Sequence, residues 1–293
     1  MSEPLFPAII KCLKDGSVVP YLGADALKGS VNVATGEAIP ADSDSLILAM
    51  NNGQPMAPKL MYEFPRAAMN QELRKGRSYV NKFLTRCYGE TEWTRSAVHD
   101  WLNDIRPQYV IDVNRDTQLQ DSYNDTPHNL IVGIARLAYE FRFKIYHYDG
   151  QSYKEIEQEA ADPSLPILYK PMGTPIPEPS YIASDADYVD YITELMGGFA
   201  IPSFLKEYRQ DKQYLFIGLR LNRDTERMVM SDITYASPKQ RGWALIVEPT
   251  KKEIRFCKKM GIEIIQSDIS ALLSAANWPP AGIEEQQVAQ VGC

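Results

Sequence analysis

Short apolar runs alternate with amphipathic stretches along most of the chain. Phe6, Ile9, Ile10 and Leu13 recur at helical spacing, and Gly16 follows as a stop signal. Val18, Val19, Tyr21 and Leu22 predict a first strand over about 17–22, ending at Gly23-Ala24-Asp25. Residues 23–60 are rich in Gly, Ala, Asp, Asn and Pro and read as long loops with one short element at Leu46-Ile47-Leu48. Loops of that length are usually functional or mobile. From about 62 to 105 the pattern is helical, with Tyr79, Phe83 and Leu84 on one face and Val98, Trp101, Leu102 and Ile105 on another. Pro107 closes this section.

Tyr109-Val110-Ile111 predicts a second central strand, ending in "DVNRDTQ" at residues 112–118. Leu130, Ile134, Leu137, Ala138 and Phe141 predict an amphipathic helix. "FKIYHYDGQSYKEI" (143–156) alternates across Asp149-Gly150, a hairpin signal. "PILYKPMGT" (166–174) predicts a strand ending in a Gly turn, and "SDADYVDYITEL" (184–195) a helix capped by Ser184. Tyr181, Tyr188 and Tyr191 read as packing that helix onto the sheet, with an interface as the alternative. "QYLFIGLRLNRDTERMVM" (213–230) gives strand, turn and helix. "GWALIVEP" (242–249) gives a strand, and residues 251–268 a helix, a Gly stop and a strand. A short helix follows over 268–276, and a Pro- and Gln-rich tail over 277–293 is expected to fray.

Strands alternating with helices predict an α/β, Rossmann-like parallel sheet with helices on both faces. The expected organisation is one domain over 1–276, with a helical insertion after the first strand at about 40–106 and a hairpin-containing segment at about 143–165. The net charge of −7 argues against a nucleic-acid partner, which needs a basic footprint. No membrane span or signal peptide is expected from the apolar pattern. Four scattered cysteines without a CxxC pair, and three histidines without ligand spacing, predict no zinc or other metal cluster and suit a reducing cytoplasm.

Ligands of open α/β sheets sit beyond the carboxyl ends of the strands. Three such ends are polar or glycine-rich: Gly23-Ala24-Asp25, the 112–116 segment with Asn114, Arg115 and Asp116, and 218–222 with Gly218, Arg220 and Asn222. Singly, each has a plain structural reading as a turn, a cap or a packing glycine. Together they point to one site.

In order, "VVPYLGADA", "VIDVNRD", "LYKPMG", "YIASDADYVDYI", "YLFIGLRLNRD", "WALIV" and "GIEIIQSD" resemble the SIR2-like (sirtuin-related) family, over about 17–275. The likeness is nearer its bacterial NAD-consuming branch than the protein deacylases, whose zinc module has no counterpart here. The resemblance implies NAD or ADP-ribose as ligand. Gly23, Ala24, Asp25, Asn114, Asp116, Gly218, Arg220 and Asn222 then fall at cofactor-binding positions, and Asn114 and Asp116 at catalytic ones.

Three departures stand out. Asp25 replaces the last Gly of a Gly-Ala-Gly turn, Asp112 stands where Thr is usual, and Met172 stands where the family has its general-base His. A thioether carries no titratable proton near neutrality, so the expected activity is weak or absent. The reading is a nucleotide-binding sensor or assembly subunit. The alternatives are an active NAD+ hydrolase using Asn114, with His128 or His147 replacing the lost base, and a protein-interaction scaffold that binds no nucleotide. A protein partner or a homo-oligomer is left open by the sequence.

Overall fold

The computed structural model describes residues 5–279. Helix α1 (Phe6–Lys14) has a proline in its first turn, where the missing N–H costs little, and it buries Phe6, Ile9, Ile10 and Leu13. Strand β1 (Val18–Leu22) is buried throughout. The apolar patch at 46–48 lies in α2 (Ser43–Met50), capped by Asp42, whose carboxylate accepts from the amides of Asp44 and Ser45. The insertion continues with α3 (Phe64–Lys75), α4 (Arg77–Thr85) and α5 (Ala97–Ile105). Then come β2 (Tyr109–Asp112), α6 (Gln118–Asp121), β3 (His128–Gly133), β4 (Phe143–Tyr148) and β5 (Tyr153–Ile156). Next are β6 (Ile167–Lys170), β7 (Gly173–Thr174), β8 (Ser180–Tyr181), α7 (Asp185–Gly197) and α8 (Ser203–Tyr208). The chain closes with β9 (Gln213–Ile217), α9 (Asp224–Ile233), β10 (Gly242–Leu245), α10 (Lys251–Met260), β11 (Ile262–Ile265) and α11 (Ile269–Ala275). Ser184 caps α7 in a reciprocal capping box with Asp187.

Nine strands form one sheet in the order β11-β10-β9-β1-β2-β6-β3-β4-β5. All neighbours are parallel except at the β3–β4 and β4–β5 contacts, where the hairpin folds back as an antiparallel edge. Alternating side chains separate two cores: Val19 and Tyr21 join α7, α8, α9 and α10 on one face, while Val18 and Leu22 join α1, α5 and α11 on the other. The architecture is the Rossmann-like α/β fold that the alternation predicts. A third core lies within the insertion, among residues of α2, α3 and α4 such as Ile47, Phe64 and Leu84. Among the described residues no helix is long and apolar enough to cross a membrane. The tail over 277–293 lies outside the described residues from 280 onward.

One expected element is corrected. The helix expected from Leu130 to Phe141 is strand β3 followed by an irregular link. Leu130, Ile131 and Val132 form a continuous run buried on both faces, as an inner strand covered by both cores requires, and β3 pairs with β6 in parallel and with β4 antiparallel. Leu137, needed for the helical stripe, is 44% exposed, and Arg136 has a left-handed φ of 57°.

Candidate functional site

The chain leaves β1 toward β2 on one side and returns as β9 on the other, so the direction of winding reverses at β1. Such a switch point opens a crevice at the carboxyl ends. Here the three polar strand ends meet. The Gly23 amide donates to Ile217 O (2.9 Å), and the Asp25 amide to Gly218 O (3.0 Å). This approach is too close for side chains. A Cβ on Gly23 would stand 2.5 Å from the Leu219 Cα, and one on Gly218, whose φ is +69°, would stand 2.4 Å from the Ala26 nitrogen. Both glycines serve backbone contact between the β1 and β9 turns, and two amides of the first turn are already engaged.

Above these turns is a cleft of about 220 Å³. Tyr21, Ala24 and Asp25 line it from β1 and its turn, and Val113, Asn114 and Arg115 from the turn after β2. Met172, Tyr188, Leu219, Arg220, Asn222, Arg223 and Glu226 complete the sheet side. The insertion supplies the opposite wall, with Asp42, Ser43 and Asp44 at the start of α2 and Glu63, Phe64 and Pro65 at the start of α3.

Beneath the cleft lies a buried, charged floor. Asn114 donates through Nδ2 to Gly23 O and to Asp112 Oδ1, both at 2.9 Å, and its backbone amide also reaches Asp112 Oδ1 at 2.9 Å. With both amide hydrogens held, its Oδ1 remains as an acceptor for the cleft. Lys170 pairs with Asp112 Oδ2 at 2.6 Å, and neither side chain is exposed. Burial alone would raise the Asp112 carboxyl; the Lys170 ammonium and the His99 imidazole outweigh it and hold the group at about 2. Asp112 thus has a buried counter-charge at the end of β6. Asp116 is 1% exposed and lies behind Asn114, accepting from the Gln118 amide at 2.8 Å; it does not line the cleft.

Arg115 is the distinctive cation of the cleft. It is 7% exposed and donates to Ile182 O through Nε (3.1 Å) and a terminal nitrogen (2.5 Å). It reaches the Tyr188 hydroxyl at 3.3 Å and lies over the Phe64 ring. Among the described residues no carboxylate pairs with it. Arg220, by contrast, bridges Glu253 at 3.2 Å. Asp25 forms no ion pair within 4.0 Å among the described residues; burial raises its carboxyl, opposed by Arg220 and Lys28. Glu226 is pushed up to about 7, chiefly by burial and then by Glu63, and its Oε2 is buried without a hydrogen-bond partner.

None of the chain's three histidines lines the cleft. His99 sits behind Asn114, with Nε2 3.9 Å from Asp112 Oδ2. His128 begins β3 at the opposite, amino end of the sheet, and His147 pairs with Asn129 at that same end. The expectation that His128 or His147 folds back into the site is therefore corrected: both lie at the other end of the sheet. Met172 itself lines the cleft.

Of the residues that the sequence singles out, Ala24, Asp25, Asn114, Arg220 and Asn222 line the cleft, Gly23 and Gly218 join the turns beneath it, and Asp116 lies in the floor. Sequence reasoning missed Glu63, Phe64 and Glu226, and read Tyr188, which lines the cleft, only as helix packing or an interface residue. The only local signals were the caps and first turns of α2, α3 and α9 that carry the acidic groups.

No curated protein matches the chain. A family model for the SIR2-like domain matches residues 109–265, from the first residue of β2 to the last of β11. That span exceeds half of the chain and contains Asn114, Lys170, Met172 and Gly218 but not the β1 turn. The chain belongs to the SIR2-like domain family, which points to NAD-related binding or processing.

Proposed function

We propose that the cleft binds NAD+ or its ADP-ribose part and turns NAD+ over slowly or not at all. The observation that carries this reading is the pairing of Arg115, a buried guanidinium without a carboxylate partner, with the pinned Asn114 at a switch-point cleft. A guanidinium suits a pyrophosphate, and carboxylates such as Asp25 and Glu63 suit ribose hydroxyls. The acidic wall of Glu63 and Glu226 also favours the cationic nicotinamide ring over a second phosphate. At about 220 Å³ the cleft is smaller than the ~300–1,000 Å³ of pockets that enclose a drug-sized ligand, so a dinucleotide placed here extends past its rim. Weak turnover follows from Met172, since the general base it replaces is typically worth ~10²–10⁴-fold.

Calorimetry with NAD+ and ADP-ribose tests binding. Saturable heats that weaken at least about tenfold in Asn114→Ala support the reading; no heat at millimolar ligand removes it and leaves a protein-interaction scaffold. A second reading, faster NAD+ hydrolysis, draws on one observation: Glu226 lines the cleft with its Oε2 buried and unpartnered, and burial pushes its carboxyl up to about 7, a value suited to proton transfer. Nicotinamide release that falls in Glu226→Gln and in Asn114→Ala supports it, and equal release in all three proteins rules it out. A gain of turnover in Met172→His supports the assignment of the lost base.

A further inference from the structure

We infer that His99, Asp112 and Asp116 form a binding site for a first-row divalent cation, Zn2+ being the best match, directly behind the nucleotide cleft. The three residues come from α5, the end of β2 and the turn after it, and each is buried. One ligand atom from each lies within 4.8 Å of the other two.

The arrangement differs from a chance acidic cluster in how the second atom of each side chain is used. His99 Nδ1 is held by Ser96 Oγ at 2.8 Å, while Nε2 has no hydrogen-bond partner. Asp116 Oδ1 accepts from the Gln118 amide at 2.8 Å, while Oδ2 has no partner. Asp112 Oδ1 is taken by Asn114. Gln118 links two of these anchors, because its Oε1 accepts from the Ser96 amide at 2.8 Å. Anchoring one atom so that the other is free and oriented is what outer-sphere partners do around bound metals. An imidazole nitrogen and a carboxylate oxygen left unpaired in the interior are otherwise costly.

The charge points the same way. Asp116 has no basic group within 4.0 Å among the described residues, and Lys170 is already committed to Asp112. Two buried carboxylates thus share one ammonium, which leaves Asp116 without a counter-charge of its own and gives a cation a carboxylate to meet. Lys170 shares Asp112 Oδ2, so the metal uses that oxygen's other lone pair. One imidazole and two carboxylates suit Zn2+, with water as a fourth ligand. Ligand atoms in a tetrahedral shell with bonds of ~2.0–2.2 Å stand about 3.4 Å apart, so binding draws the side chains together by up to about 1.4 Å. Because Asp112 also holds Asn114, a bound ion stiffens the floor of the cleft.

The test needs no nucleotide. The full chain is purified without chelator and without a metal-affinity tag, and its metal content and Tm are measured before and after dialysis against chelator, then with added ZnCl2 or MnCl2. The expected result is about one ion per chain, lost on chelation and regained with a Tm rise of about 5 °C or more. Asp116→Asn, which keeps shape but weakens ligation, and His99→Gln should carry no ion and show no metal-dependent Tm. Wild-type protein that holds no ion and whose Tm ignores both salts overturns the site. So does an ion retained at full stoichiometry in folded Asp116→Asn and His99→Gln.

Discussion

The two ends of the central sheet treat their buried histidines differently. At the amino end, His128 has both ring nitrogens engaged, Nδ1 with Thr126 O at 2.7 Å and Nε2 with the Tyr153 hydroxyl at 2.8 Å, and Tyr123, Tyr148 and Tyr153 surround it. At the carboxyl end, His99 Nε2, Asp116 Oδ2 and Glu226 Oε2 are buried without partners. The His128 ring is satisfied and structural, and the buried atoms left unpartnered at that end, such as Asn129 Oδ1 and the Tyr109 and Tyr214 hydroxyls, belong to separate strands. The carboxyl end keeps unmet polar capacity close to a cleft. Unmet capacity that converges, as the His99 and Asp116 ligand atoms do within 4.8 Å of each other and of Asp112, marks where a ligand belongs more than burial or charge alone.

The largest expected effect is at the carboxyl end. In chelator-treated protein, Lys170→Met leaves Asp112 as an uncompensated buried carboxylate and should cost about 3–5 kcal/mol in urea unfolding. Adding Asp112→Asn should recover a large part of the loss; no recovery would mean that the pair does not carry the effect.

The amino end should show itself through pH. Burial depresses His128 to about 4, below the ~6.5 of an unfolded chain. Between those values the unfolded chain binds the extra proton. This contribution is therefore fully present above about pH 6.5 and is lost as pH falls toward 4, by about 3 kcal/mol. Urea midpoints across that window should drop in the wild type and flatten in His128→Gln. An unchanged slope would make His128 less isolated from water than its contacts imply.

Gly218→Ala should cost about 1–3 kcal/mol, read as a lowered Tm, because a Cβ there meets the Ala26 nitrogen at 2.4 Å with φ at +69°. A neutral result would show that the two turns can separate.

The smallest effect concerns Glu226. Above about pH 7 it adds a negative charge to the cleft, and below that it is neutral. Affinity for anionic ADP-ribose should therefore rise as pH falls from 8 to 6, by up to about tenfold, and Glu226→Gln should remove the trend. An identical slope in both proteins would place the titrating group elsewhere.

Much of this was legible along the chain. Buried β1, β2 and β9 announced themselves as short apolar runs, each followed by Gly or Asp-x-Asn, and sheet winding alone brings those ends together. β3 was hidden because Leu130, Ile134, Leu137 and Phe141 mimic a helical stripe, and only its burial on both faces distinguishes it. The opposite wall was illegible for another reason. Glu63 and Phe64 reach the cleft through packing of the insertion, which no local period encodes. His99 meets Asp112 across the packing of α5 on the sheet, at a sequence distance that no metal-ligand spacing rule covers.

The most direct test of the cleft is a crystal structure of the chain with saturating ADP-ribose. The expected result is ligand density over Asn114 Oδ1, with the pyrophosphate against the Arg115 guanidinium. Density confined to another surface, or none at millimolar ligand, would contradict a nucleotide site at the carboxyl ends of β1, β2 and β9.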